Sequence, residues 1–272
     1  MLPRRCLVAI HAHPDDESIL TGGLLARCHA QGIRTVVVTC TGGEAGDARG
    51  AIAGSLAAAR QAELRQALAV LGVSRATQLP YRDSGMAGWP TNTQPGTFHM
   101  APLAEAASRV QAVLQEEQPD LVITYDAAGG YGHPDHVKAH RVAKAAFQAS
   151  HLGTSRLAAV VFPASWLVRF AQLARSAGVQ AQPSALLGID DLPGEQPSGL
   201  PDTVAGEALD TLAFVGQKRR AITAHASQMS PDHALMRLPP EIHTAIWSRE
   251  FYLTLELRPA SHWRPSADPL SL

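Results

Sequence analysis

The sequence predicts an α/β protein: a mostly parallel sheet with helices on both faces, followed by an irregular C-terminal portion. Three observations carry that expectation. Short apolar runs alternate with longer segments of helical spacing over the first 165 residues, the pattern of βαβ units. The runs are continuously apolar, as in strands buried on both faces. Polar or Gly-rich segments begin wherever a run stops, and parallel sheets place their sites outside the carboxyl ends of the strands.

The elements follow in order. "CLVAI" (6–10) is a buried strand, and residues 15–31 carry apolar positions at helical spacing up to Gly32, a C-cap residue. "IRTVVVTC" (33–40) is a second strand, and "TGGEAGDARG" (41–50) a loop. Residues 51–72 form a long Ala/Leu-rich helix, and residues 76–90 a short strand entering a Gly/Pro-rich loop. Residues 101–117 are helical, 119–126 a strand, 133–150 a helix and 157–162 a further strand. Residues 178–205, rich in Pro, Gly and acidic side chains, form a long excursion. Residues 207–228 read as helix, 249–257 as strand, and the last fifteen residues as a frayed terminus.

Bulk properties exclude several function classes. The chain has 272 residues, is 46% hydrophobic and 17% charged, and carries a net charge of −1. That balance argues against a nucleic-acid or anionic-membrane partner. No apolar stretch reaches the roughly 18 residues of a membrane span. The basic residues and short apolar run at the N-terminus resemble a signal peptide only superficially, so the expected location is cytoplasmic. Three cysteines, none in a C-x-x-C pair, signal neither a disulfide framework nor a zinc finger.

One local echo concentrates the chemistry: "HPDD" at 13–16 and "HPDH" at 133–136, each following a strand. Pro after His suits the first helical position. On an opening helical turn His13 and Asp16 would share a face, as would His133 and His136. Either segment alone could be a capped helix start; two, each at a strand–helix junction, point to a metal. A catalytic zinc takes three protein ligands and keeps one position for water, and the assignment is His13, Asp16 and His136. Such a metal acidifies its water and polarises a carbonyl, which suits amide or ester cleavage. Asp15 is assigned as general base, and His133 as the group that steadies the oxyanion or donates a proton as imidazolium. Asp135 would orient His133 and keep it charged, and Tyr131 would donate its hydroxyl to the oxyanion. His11 is read as a packing partner; His29, His99, His140, His151, His233, His243 and His262 are mostly assigned to the surface.

On these residues the sequence resembles the LmbE-like/PIG-L family of zinc-dependent N-deacetylases. The resemblance rests on "AHPDDE" (12–17), "RQAELRQALAVLGV" (60–73), "YRDSGMAG" (81–88), "TYDAAGGYGHPDH" (124–136) and "KRRAITAHASQ" (218–228). The longer segments look most like the actinobacterial branch, which deacetylates a GlcNAc-inositol conjugate in mycothiol synthesis or cleaves mycothiol conjugates. Other relatives act on GlcNAc-malate, chitobiose-type sugars or glycopeptide antibiotic intermediates. The resemblance implies one Rossmann-like domain over 1–272, with the metal site in 1–165 and specificity elements in 166–272. It implies the same zinc triad and the same roles for Asp15, His133 and Tyr131. It further implies that Arg60, Asp83 and Met86 contact a sugar or inositol substrate. An Arg60–Glu63 pair on a solvated face, a turn at Asp83 and surface capping by His225 and Gln228 are the plainer alternatives. The expected reaction is removal of the N-acetyl group from a small-molecule GlcNAc conjugate, with one Zn2+ per chain; ferrous iron suits N/O ligands as well. Cleavage of a larger amide, such as a thiol conjugate, and a non-catalytic metal- or sugar-binding role are the rivals. A homo-oligomer is left open.

Overall fold

The computed structural model describes residues 5–46, 52, 54–153, 155–179 and 199–257. The strands are β1 (Cys6–His11), β2 (Arg34–Thr41), β3 (Arg75–Tyr81), β4 (Leu121–Tyr125), β5 (Arg156–Val161), β6 (Glu207–Asp210) and β7 (Arg249–Leu257). They form one sheet in the order β3-β2-β1-β4-β5-β7-β6. The first five pair in parallel, while β7 runs antiparallel to both β5 and β6.

The helices are α1 (Asp16–Ala30), α2 (Leu56–Leu71), α3 (Leu103–Glu117), a single turn α4 (Gly129–Gly132), α5 (Pro134–Ala149), α6 (Ala164–Ser176), α7 (Val215–Ala224) and α8 (Pro240–Trp247). Because side chains alternate along a strand, β1 serves two cores. Val8 and Ile10 pack with Val110 and Leu114 of α3 and Val142 and Phe147 of α5. Leu7 and Ala9 pack with Leu24 and Leu25 of α1, Leu64 and Leu68 of α2 and Ala221 of α7. A third cluster joins α6, α7 and α8 through Phe170, Ile222, Ile246 and Trp247.

This layering positions the site. β1 and β4 are parallel neighbours, with Val8 opposite Val122 and Ala9 opposite Ile123. The helix after β1 covers one face and the helix after β4 the other. The chain therefore splays apart at the carboxyl ends of these two strands, which is the switch-point crevice of an open α/β sheet.

Three sequence expectations are corrected. Residues 207–228 are not one helix: Glu207–Asp210 form edge strand β6, and the helix starts at Val215. Neither α6 nor α8 was anticipated. Pro14 does not open a helix either, since α1 begins at Asp16, so His13 precedes the helix and meets Asp16 through a loop. In the second motif Pro134 does occupy the first turn and His133 is the N-cap. Most of the 178–205 excursion and the C-terminal tail lie outside the described residues.

A buried ion pair ties the C-terminal portion to α1. Lys218 Nζ lies 2.6 Å from Glu250 Oε1, and both side chains are 3% exposed. Glu250 also accepts the Gly23 and Leu24 amides and the Tyr252 hydroxyl. A Cβ on Gly23 would stand 2.6 Å from Thr211 and 2.9 Å from Glu250, so glycine is what lets α1 approach this carboxylate.

Candidate active site

The two HPD segments meet. His13 Nδ1 lies 3.2 Å from His136 Nε2. Asp16 Oδ1 lies 3.5 Å from His136 Nε2, and Asp16 Oδ2 lies 3.6 Å from His13 Nδ1. All three side chains are nearly buried. Donors around a tetrahedral zinc with bonds of about 2.0–2.1 Å stand about 3.4 Å apart; the two ring nitrogens are near that spacing, and Asp16 approaches each ring with a different oxygen.

Hydrogen bonding prepares each donor. The Gly129 carbonyl lies 3.2 Å from His136 Nδ1. A carbonyl only accepts, so Nδ1 carries the proton and Nε2 presents its lone pair. Asp16 Oδ2 accepts the His13 amide at 2.8 Å and the Tyr125 hydroxyl at 2.6 Å, leaving Oδ1 free of those partners. His13 Nε2 lies 3.4 Å from Asp83 Oδ1 and 3.5 Å from Asp135 Oδ2, carboxylates that hold the far side of the ring. Those anions favour the charged form of His13 against the cost of burial, and its pKa is raised.

Two triads gather here among the described residues with their donor atoms within 4.8 Å of one another: His13, His133 and His136, and His13, Asp83 and Asp135. Histidine ring centroids stand 4.5 Å apart for His13–His133 and 5.0 Å for His133–His136.

Asp15, the residue between the two first-motif donors, adopts φ 117°. A non-glycine side chain there stores strain of about 1–3 kcal/mol, a feature that clusters at functional sites. Its side chain is 15% exposed and pairs with Arg60 Nη2 at 2.9 Å. Burial, aided by the charge of Asp16 and opposed by Arg60, pushes its carboxyl up to about 6.

Two of the expected substrate contacts, Arg60 and Asp83, are engaged by protein groups. The Arg60 guanidinium, 4% exposed, holds the Pro14 and Gly43 carbonyls as well as Asp15. It does not pair with Glu63, which instead accepts the Ser227 amide and hydroxyl. Asp83 is 5% exposed against His13, its carboxylate also accepting the Gly85 and Ala45 amides. Met86 is half-buried in the loop after β3.

Asp135 does not orient His133 with its carboxylate. Its backbone N–H donates to His133 Nδ1 at 3.1 Å, while the carboxylate accepts the Ser84 amide and faces His13. An N–H only donates, so Nδ1 is unprotonated and the donor of His133 is Nε2–H. Burial and the neighbouring His13 and His136 push its pKa well down. These neighbours favour the uncharged ring. The Tyr131 hydroxyl lies 3.5 Å from His136 Nε2, and burial raises its pKa, keeping it protonated.

A family model described as "GlcNAc-PI de-N-acetylase" matches residues 8–147. The chain belongs to the PIG-L family. A 1D-myo-inositol 2-acetamido-2-deoxy-alpha-D-glucopyranoside deacetylase of Acidothermus cellulolyticus is 38% identical, covering 92% of this chain and 89% of that protein. A protein of the same name from Rhodococcus erythropolis is 39% identical over 82% of this chain and 81% of its own length. Among solved structures, N,N'-diacetylchitobiose deacetylase from Pyrococcus horikoshii superposes with a TM-score of 0.58 at 22% identity, covering 95% of this chain and 85% of the other. The 4-carboxy-2-hydroxymuconate hydratase GalB from a Pseudomonas strain reaches the same TM-score at 16% identity, covering 96% and 100%. These likenesses establish the PIG-L fold here; a scaffold shared with a hydratase leaves the reaction to the site.

Sequence reasoning missed Tyr125, which bonds Asp16 and stacks 4.1 Å from the His136 ring. A polar aromatic closing an otherwise apolar strand was the available signal. His140, His233 and His243 are buried rather than on the surface. His11 packs as expected, edge-on to Tyr125 and 3.0 Å from Thr21 Oγ1. His225 is fully buried against Glu17. Tyr125 was legible in part; the burial of His225 depended on a segment two hundred residues away. Within the described residues, no helix is long and apolar enough to cross a membrane.

Proposed function

We propose that this PIG-L protein is a zinc-dependent hydrolase that removes the N-acetyl group from a small GlcNAc conjugate, GlcNAc-inositol first among them, to give a free amine and acetate. One observation carries the reading: His13, Asp16 and His136 converge from two motifs, with the ring nitrogens 3.2 Å apart and an Asp16 oxygen within 3.6 Å of each. The names of the relatives, aligned over most of both chains, support the substrate class.

His13 Nδ1, Asp16 Oδ1 and His136 Nε2 would hold the ion. Asp16 takes the third place rather than His133 because it brings negative charge and an oxygen, Oδ1, outside its hydrogen bonds with the His13 amide and the Tyr125 hydroxyl, whereas His133 is engaged at Nδ1 by the Asp135 amide. A zinc ion there supplies Lewis acidity, acidifying a water and polarising the acetyl carbonyl. Asp15 takes the proton of that water; a carboxyl raised towards neutrality is matched to the task. The same group returns the proton to the leaving nitrogen. His133 Nε2–H and the Tyr131 hydroxyl donate to the developing oxyanion. Arg60 fixes Asp15, and Asp83 and Asp135 fix His13, so these three act on the machinery rather than on the sugar. Met86, half-buried in the loop after β3, is retained as a substrate contact.

The test is amine and acetate release from GlcNAc-inositol, GlcNAc-malate, diacetylchitobiose and a cysteinyl thiol conjugate, with and without chelator. The reading expects chelator-sensitive acetate release from a GlcNAc conjugate. Release of only the cysteinyl product would establish the amidase rival, and inactivity of zinc-replete protein on the whole panel would remove the enzymatic reading.

A further inference from the structure

Two buried side chains that the chemistry above does not use meet at the peptide of Asp15. Glu17, from the first motif, and His225, from the 218–228 segment, are both 0% exposed. Glu17 Oε2 accepts the Asp15 amide at 2.9 Å. Glu17 Oε1 lies 2.8 Å from His225 Nε2 and accepts the Ser18 hydroxyl at 2.5 Å. The Asp15 carbonyl accepts the amides of Ser18 and Ile19, each at 3.0 Å. The peptide with φ 117° is thus gripped at both ends.

The loop carrying His225 is anchored in turn. Ser227 donates its amide and hydroxyl to Glu63 at 2.8 and 2.7 Å. Glu63 lies on α2, the helix whose Arg60 holds the Asp15 carboxylate. Helix capping alone does not call for this arrangement. An amide at a half-exposed helix start can bond water, whereas burying a carboxylate and an imidazole carries a desolvation cost. What the pair accomplishes that water could not is to fix one left-handed peptide in place.

We propose that Glu17 and His225 are a positioning pair for Asp15: the imidazole holds the Glu17 carboxylate, which holds the Asp15 amide, so that the strained peptide aims the Asp15 carboxylate at the reacting water. The proposal rests on Asp15 being the base of the deacetylation proposed above. It assigns the C-terminal segment a part in catalysis, although that segment supplies no group to the reacting atoms.

The experiment is a double-mutant cycle on zinc-loaded full-length protein, with GlcNAc-inositol as substrate and with zinc content and melting temperature measured on every variant. His225→Ala should lower kcat roughly 10- to 100-fold, the usual effect of a displaced catalytic group. KM and zinc stoichiometry should stay within about twofold. His225→Gln, which keeps a donor near the Nε2 position, should recover part of the loss, and Glu17→Gln should match His225→Ala. In an Asp15→Ala background, His225→Ala should change the residual rate by less than about twofold, because coupled groups are non-additive. The proposal is overturned if His225→Ala and Glu17→Gln leave kcat unchanged, or if they cost the same in both backgrounds, which is the behaviour of a general loss of structure. An inactive wild type would overturn the proposed activity itself; an active wild type with insensitive variants would overturn only the positioning role.

Discussion

Asp15 and Asp16 are adjacent acids in opposite surroundings, which suit the separate tasks proposed for them. Asp16 receives two hydrogen bonds on one oxygen, and the His136 and His13 rings beside it hold its carboxyl well below the usual carboxylate range despite burial. Burial, with the Asp16 charge beside it and against Arg60, raises the Asp15 carboxyl to about 6. Asp15→Asn should therefore lower kcat/KM by about 10²–10⁴ with zinc stoichiometry unchanged, measured by acetate release and metal analysis. Tyr125→Phe removes the 2.6 Å donor to Asp16. Zinc affinity should weaken about 10- to 100-fold, read by competition with a chelating dye. At this scale the sequence was informative about which residues gather, because two HPD segments after two strands are hard to explain otherwise. It was less informative about who touches whom. Pro14 follows His13 but opens no helix, and the Asp135 carboxylate reaches His13 across the crevice instead of the adjacent His133. Such pairings depend on tertiary approach, which spacing does not encode.

Elements present these residues through close approaches that tolerate little change. Gly129 sits at φ +68°, its carbonyl orients His136, and a Cβ there would stand 2.7 Å from the Val137 amide nitrogen. Gly129→Ala should cost about 1–3 kcal/mol and weaken zinc binding, observable as a lower melting temperature and a larger dissociation constant. Removing one member of the buried Lys218–Glu250 pair strands the other. Glu250→Ala should destabilise by about 3–5 kcal/mol, measured by denaturant unfolding. A clasp at the opposite ends of the strands gives a pH signature. Arg34 and Arg75 bond Glu117 at 2.6 and 2.8 Å and pull its carboxyl down from 4.5 to about 2. A depressed carboxylate stabilises the fold above the ordinary pKa and loses that contribution as pH falls towards the depressed one. Wild type should thus exceed Glu117→Gln in stability at neutral pH, and the difference should vanish by about pH 2 in acid-unfolding curves; partial exposure of both arginines makes the gap modest. The buried strands and α1, α2, α3 and α5 were legible because their apolar periods are long and uninterrupted. β6 was missed because four residues, EALD, at a sheet edge have no period to detect. Helix α6 was missed although its apolar face, Leu167, Phe170, Ala171 and Ala174, has helical spacing.

For the whole molecule, strand order turns two distant motifs into one site. β1 and β4 are adjacent only because the chain reverses its direction of travel across the sheet after β3. The helices that follow β1 and β4 then lie on opposite faces and leave the crevice between them. The alternation of strands and helices made this architecture legible from the sequence, whereas the antiparallel β7–β6 edge and the third core around Trp247 were not. The most direct check is a zinc titration of chelator-stripped protein, scored by acetate release from GlcNAc-inositol. Activity should rise in proportion to added zinc and level off at one ion per chain, and His136→Ala should stay silent throughout. Full activity in stripped protein, or none at one bound zinc, would contradict the account.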